Sequence, residues 1–123
     1  MQGRIQRYIR ETSSGSGRAR PIFEIMLFEH EEKEIGEKGS GIPDIGLTDT
    51  PGFFHELETA ITAMHENAAG MNEGVFKAGF VLCRFPGLYR SVGKEGRIFF
   101  SWNEKKRGYF EREEPSIFEK ISL

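Results

Sequence analysis

Residues 79–85 read Gly-Phe-Val-Leu-Cys-Arg-Phe, with Phe80 and Leu82 on one pleat face and Val81, Cys83 and Phe85 on the other. Side chains alternate across a strand, so a run apolar on both faces belongs inside a sheet and needs cover on both sides. In a chain of 123 residues, long enough for one core and too short for two, this run is the sheet centre, and the rest must supply its neighbours and its two covers.

Three segments read as neighbours. Ile22 to Glu29, rich in β-branched and aromatic residues, begins directly after Pro21 and reads as a strand. Arg97-Ile-Phe-Phe-Ser-Trp102 is a second. Asn103-Glu-Lys-Lys-Arg-Gly108 has the length and terminal glycine of a reversal, so Tyr109 to Glu113 returns antiparallel and Pro115 ends it. Gly36, Gly39, Gly41 and Pro43 predict a long loop, with a short strand over 44–48 after it.

The first cover is a helix. Phe54, Leu57, Ile61, Met64, Ala68 and Met71 recur at spacings of three and four, which places them on one stripe. Asp49 or Thr50 as cap and Pro51 in the first turn put its start near Phe53; Gly70 suits its close, and residues 71–74 form a turn. The fold class is therefore α+β, one amphipathic helix packed on a mostly antiparallel four- to five-stranded sheet, in the order β, β, α, β, β, β. Leu57, Ile61, Met64, Phe80, Leu82, Ile98 and Phe100 are the expected core.

The second cover is harder to find. Residues 1–20 hold Arg4, Arg7, Arg10, Arg18 and Arg20 against Glu11, a balance of +4 that leaves −6 on the remainder of a chain with net charge −2. This basic arm, flexible or a first strand and joined through Ser13-Ser-Gly-Ser-Gly17, makes a poor apolar lid, because unpaired guanidinium groups are costly to desolvate. Residues 21–123 form the single domain. A symmetric homodimer burying Phe99, Val81 or Phe85 is the simpler expectation.

Little here supports catalysis. His30, His55 and His65 lie in no nucleophile motif, and the glycines of 36–41 and 93–97 lack phosphate-loop spacing. Glu29, His30, Glu31 and Glu32 alternate along a strand end and cannot converge on a metal, so neither a metal nor a cofactor is expected. Cys83 is the one cysteine and reads as a packed hydrophobe, which excludes a disulfide and a paired-cysteine zinc site and fits a reducing, cytoplasmic compartment. No stretch approaches the roughly 18 apolar residues of a membrane helix. His65 and Asn67 border the helix stripe and read as structural.

Two groups of binding residues stand out. Phe99 points away from the helix, and with Tyr89, Arg97, Tyr109, Arg112 and Arg84 it composes an aromatic and guanidinium platform for a small anionic ligand, the competing reading being that a second packed layer or a homodimer surface covers these aromatics. Arg4, Arg7 and Arg10, with Lys105, Lys106 and Arg107 at the hairpin tip, compose an alternative nucleic-acid surface.

The segment Glu58-Thr-Ala-Ile-Thr-Ala-Met-His-Glu-Asn-Ala68, then Gly79-Phe-Val-Leu, Phe85-Pro-Gly-Leu-Tyr89, Phe99-Phe-Ser-Trp-Asn103 and Tyr109, resembles small proteins of bacterial genomes and their phages or mobile elements. The resemblance spans residues 47–115. It implies a setting, that of compact proteins acting by binding and including inhibitors of host defence, and no reaction. The expectation is a non-enzymatic binding protein for a partner protein or small anionic ligand, with nucleic-acid binding as the alternative and an enzyme last.

Overall fold

In the computed structural model, which describes residues 2–15, 20–32, 35–38, 42–70, 75–87 and 91–123, the run apolar on both faces is the middle strand of five. The strands are β1 (Ile22–Phe28), β4 (Thr48–Phe54), β5 (Ala78–Arg84), β6 (Arg97–Asn103) and β7 (Gly108–Glu111), in the antiparallel order β4-β1-β5-β6-β7. Phe80 sits between Met26 and Phe99, and Val81 between Ile25 and Ile98. The first six residues of β5 are buried, as an interior position requires.

The expected long loop contains a small separate hairpin, β2 (Gly36–Lys38) and β3 (Ile42–Asp44). The short strand expected over 44–48 is instead the link between β3 and β4, turning at Gly46 with φ 76°. Residues 71–74 and Tyr89 lie outside the described residues, as do Arg18, Gly39 and Gly41.

One sheet face carries Phe23, Ile25, Val81, Cys83, Ile98 and Phe100. Helix α2 (Leu57–His65) crosses it from β4 to β7 and buries Leu57, Ala60, Ala63 and Met64. Ile61, expected in the core, is half-buried on the flank. The helix starts four residues later than expected. Residues 48–54 satisfy the local signature of a capped helix, yet they pair with β1, and Phe54 enters the core beside Phe23. Pro51 is tolerated because β4 is an edge strand and the register shifts there, with Thr50 and Pro51 together facing Met26. Asn67 closes the helix at φ 48° and Gly70 ends the following 3-10 turn at φ 63°.

Residues 2–15 of the basic arm form a helix as well. In α1 (Gln2–Gly15) Ile5 is completely buried while Tyr8 and Ile9 pack on the same core, so their i, i+3, i+4 stripe outweighs the arginines, which sit on the other faces. Tyr8 meets Phe85 edge-on at 6.5 Å and lies so close to Gly96 that a Cβ there would stand 2.7 Å from its ring.

The opposite face carries Phe28, Phe80, Leu82 and Phe99, and the chain covers it with its own C-terminal segment. Phe118, in the 3-10 turn Ser116–Lys120, and Ile121 lie over these rings, with Phe118 5.3 Å from Phe99 and 5.5 Å from Phe28. This corrects the expectation of an exposed Phe99, which is 3% accessible, and removes the need for a second copy over that face. No helix among the described residues is long and apolar enough to cross a membrane.

Candidate functional site

The expected platform does not form. Phe99 is one of four clustered rings in the second core. Arg97 is 1% accessible and stacks 4.7 Å over Phe80. Its Nε and Nη2 donate to the two carboxylate oxygens of Glu114 at 2.8 and 2.9 Å, and its remaining N–H groups go to the carbonyls of Val92, Phe118 and Ile121. All five donors of that guanidinium are engaged, so it anchors the C-terminal cover and offers nothing to a ligand.

Tyr109 is buried, donates its hydroxyl to the Phe76 carbonyl at 3.2 Å, and has its phenol pKa pushed up by that burial. Arg84 donates to Glu24 and to the Leu123 carbonyl, each at 2.9 Å. Arg112 caps Phe99 from outside at 5.6 Å and donates to Glu32 at 2.9 Å. The acidic strand end is similarly engaged, since Glu29 accepts the Leu47 amide at 3.1 Å. Burial pushes the Cys83 thiol up to about 12, which leaves it protonated and unreactive.

The hairpin tip is built differently. The Asn103 side-chain oxygen accepts the Lys106 amide at 3.0 Å, and Arg107 takes the left-handed conformation at φ 52°. Gly108 then passes beneath the end of α2, where a Cβ would overlap the His65 carbonyl oxygen. His65 donates from Nδ1 to the Tyr109 carbonyl at 3.0 Å and packs its ring 4.4 Å from Phe110. The turn is thus fixed to the helix by backbone contact, a ring pair and a hydrogen bond.

On this fixed turn Lys105, Lys106 and Arg107 are exposed beside two half-buried rings. Lys106 lies 5.1 Å over Phe110 and Arg107 5.9 Å over Trp102, both within reach of a cation–π contact. Trp102 donates its indole N–H to Glu104 at 2.7 Å, and Arg107 donates to the other oxygen of that carboxylate at 3.4 Å. Lys105, Lys106 and Arg107, beside the Glu104 carboxylate and interleaved with two aromatic rings, make the tip an anion-attracting surface.

The structure does not bring the other basic group to it. Helix α1 is held at the start of β6, where Tyr8 meets Gly96, while the tip lies beyond the end of that strand, about 20 Å away for seven residues. Arg7 and Arg10 are exposed on α1 and Arg4 is half-buried there. Comparison with protein-family models, with curated proteins and with solved structures gives no match for this chain.

Proposed function

We propose that this protein is a non-enzymatic binding module that holds an anionic ligand at the β6–β7 tip, and that the ligand is single-stranded nucleic acid. The observation that carries the reading is the pairing of Lys106 with Phe110 and of Arg107 with Trp102 on a turn pinned to α2. Cations neutralise phosphates, and the half-buried Trp102 and Phe110 rings can take a stacked base where Arg107 and Lys106 turn from ring to phosphate, a contact worth about 1–3 kcal/mol per base. Because the turn is already rigid, binding does not have to order it.

Three cations set the salt response. With about three phosphates neutralised, affinity falls with a logarithmic slope near −2, or roughly 20-fold between about 50 and 200 mM salt. Fluorescence anisotropy of a labelled oligothymidine measures this directly. Replacing Lys105, Lys106 and Arg107 together by Ala abolishes the signal if the tip is the site. Absence of binding by the unaltered protein at about 50 mM salt would end the proposal.

A second reading, a symmetric dimer, rests on Phe53. This ring is 58% exposed at the open edge of the sheet, where Pro51 and the bulge interrupt backbone pairing and leave side-chain contact as the means of association. A second copy of the chain is the partner that this reading names. Sedimentation at micromolar concentration distinguishes 14.0 kDa from twice that mass, and Phe53→Glu returns a dimer to the smaller value.

A further inference from the structure

We infer that Glu104 occupies the seat of a ligand phosphate, and that the Trp102 indole N–H and the Arg107 guanidinium are the groups that hold that phosphate once Glu104 is displaced. The inference rests on the reading of the tip as an anion-binding site and adds to it a resident competitor. Trp102 Nε1 can only donate, and it gives its proton to Glu104 Oε2 at 2.7 Å, a charge-assisted contact; Arg107 gives one to Oε1 at 3.4 Å. The carboxylate is therefore gripped by both oxygens from two different residues. A phosphate diester presents two unesterified oxygens with similar separation and the same charge, so it fits the same pair of donors.

Two features make the resident carboxylate displaceable. Glu104 and Arg107 side chains are 75% and 68% exposed, and exposed ion pairs contribute little. Glu104 also belongs to the four-residue turn Glu104–Arg107, where its side chain can swing into solvent without moving β6 or β7. Trp102 stays in place when it does, because it packs on Tyr109 at 5.1 Å, and the Arg107 guanidinium keeps that ring 5.9 Å beneath it. Arg107 itself stands at φ 52°, a conformation that favours glycine or asparagine, so a basic residue is held there against its backbone preference. Its guanidinium lies 5.9 Å over Trp102.

The test compares four proteins with a fluorescein-labelled oligothymidine at about 50 mM salt: the unaltered chain, Glu104→Gln, Glu66→Gln, and Glu104→Gln combined with Trp102→Phe. Glu104→Gln keeps the shape and removes the charge, and it tightens binding by about threefold to fivefold. Glu66 is an exposed carboxylate just past the end of α2, next to His65, and its substitution controls for the general loss of negative charge. The added Trp102→Phe keeps a stacking ring but removes the indole N–H, and it cancels the gain. Trp102 is the only tryptophan, so its emission also shifts on binding in the unaltered chain as Glu104 leaves.

If the unaltered protein binds and Glu104→Gln binds no more tightly than Glu66→Gln, the phosphate seat is wrong and the tip remains the site. Binding by the Glu104→Gln, Trp102→Phe protein as tight as that by Glu104→Gln alone overturns the seat in the same way. If none of the four proteins binds, both the seat and the proposed function fall.

Discussion

The carbonyl oxygen of His65 fills the space that a Cβ on Gly108 would need, so at this point the end of α2 and the start of β7 meet backbone to backbone. Gly108 is needed here for space, since its φ is not positive. Backbone cannot swing aside as a flexible side chain can. Gly108→Ala must therefore lift the helix end from the sheet, at a cost of about 1–3 kcal/mol. Thermal denaturation reads that loss, and the same substitution frees the turn that presents Lys105 to Arg107 and weakens oligonucleotide binding.

Arg97 and Glu114 form a bidentate pair in which both side chains are essentially inaccessible, and Arg97 also binds three carbonyls of the surrounding chain. Removing one partner strands a buried charge. Glu114→Ala or Arg97→Ala alone should cost about 3–5 kcal/mol, and the double substitution less than their sum. Urea denaturation of the three variants measures the coupling, and strictly additive losses would contradict it.

Phe118 closes the second core, and its contact with Phe28, Phe80 and Phe99 makes the C-terminal segment part of the fold. Phe118→Ala should cost about 3–5 kcal/mol, and Leu82→Ala about 2–5. Ile61→Ala, at a half-buried position, costs less than Leu82→Ala. Phe99→Glu unfolds the protein by burying a charge among rings, whereas a role at a subunit contact would leave a folded chain.

These positions show which parts of the fold the chain states locally. The two-faced run at 79–85 and the reversal between Trp102 and Tyr109 are short-range patterns that appear where their period places them, whereas of the stripe Phe54, Leu57, Ile61, Met64, Ala68 and Met71 only Leu57 and Met64 are buried on α2, with Ala60 and Ala63 taking the core positions beside the half-buried Ile61. Thr48 to Phe54 is ambiguous in isolation, because Asp49, Thr50 and Pro51 also suit a helix start; pairing with Phe23, far earlier in the chain, decides it. Ile5, Tyr8 and Ile9 carry a helical stripe that the intervening arginines conceal. Phe118 and Ile121 make too short a run to mark a lid, and nothing near Arg97 in sequence announces its carbonyl partners. At the tip, Lys105, Lys106 and Arg107 are legible as cations on a loop. Their rings are not, since the Lys106–Phe110 and Arg107–Trp102 contacts depend on the conformation of the turn.

Burial of Cys83 gives an alkaline limit with a definite sign. Its thiol rises from the ordinary 9.0 to about 12, so the unfolded chain loses this proton first. Stability is level below about pH 9 and then falls by about 1.4 kcal/mol per pH unit as pH rises toward the folded value. Tyr109, shifted upward by the same cause from 10.0, adds to the loss above that value. Cys83→Ala should move the onset of alkaline destabilisation from about pH 9 to about pH 10, as followed by denaturation midpoints across that range, and an unmoved onset would show that the thiol is solvated.

Helix α1 separates the structural from the electrostatic role of the N-terminal residues. Ile5 is inaccessible and packs on the same core as Val81 and Ile98, so Ile5→Ala should cost about 2–5 kcal/mol even though it alters no charge. Arg7 and Arg10 are exposed on the same helix, and replacing both by Gln removes two positive charges while leaving that packing intact. With the site at the β6–β7 tip, on the far end of β6 from the Tyr8 anchor, the double Gln variant keeps the affinity and the salt slope of the unaltered protein. A slope reduced by about 1.4 in that variant would instead place the nucleic acid across α1, because each lost phosphate contact on a single strand lowers the slope by about 0.7. Ile5→Ala and the double Gln variant thus test packing and charge on one helix by independent readouts, and only the second can move the binding site.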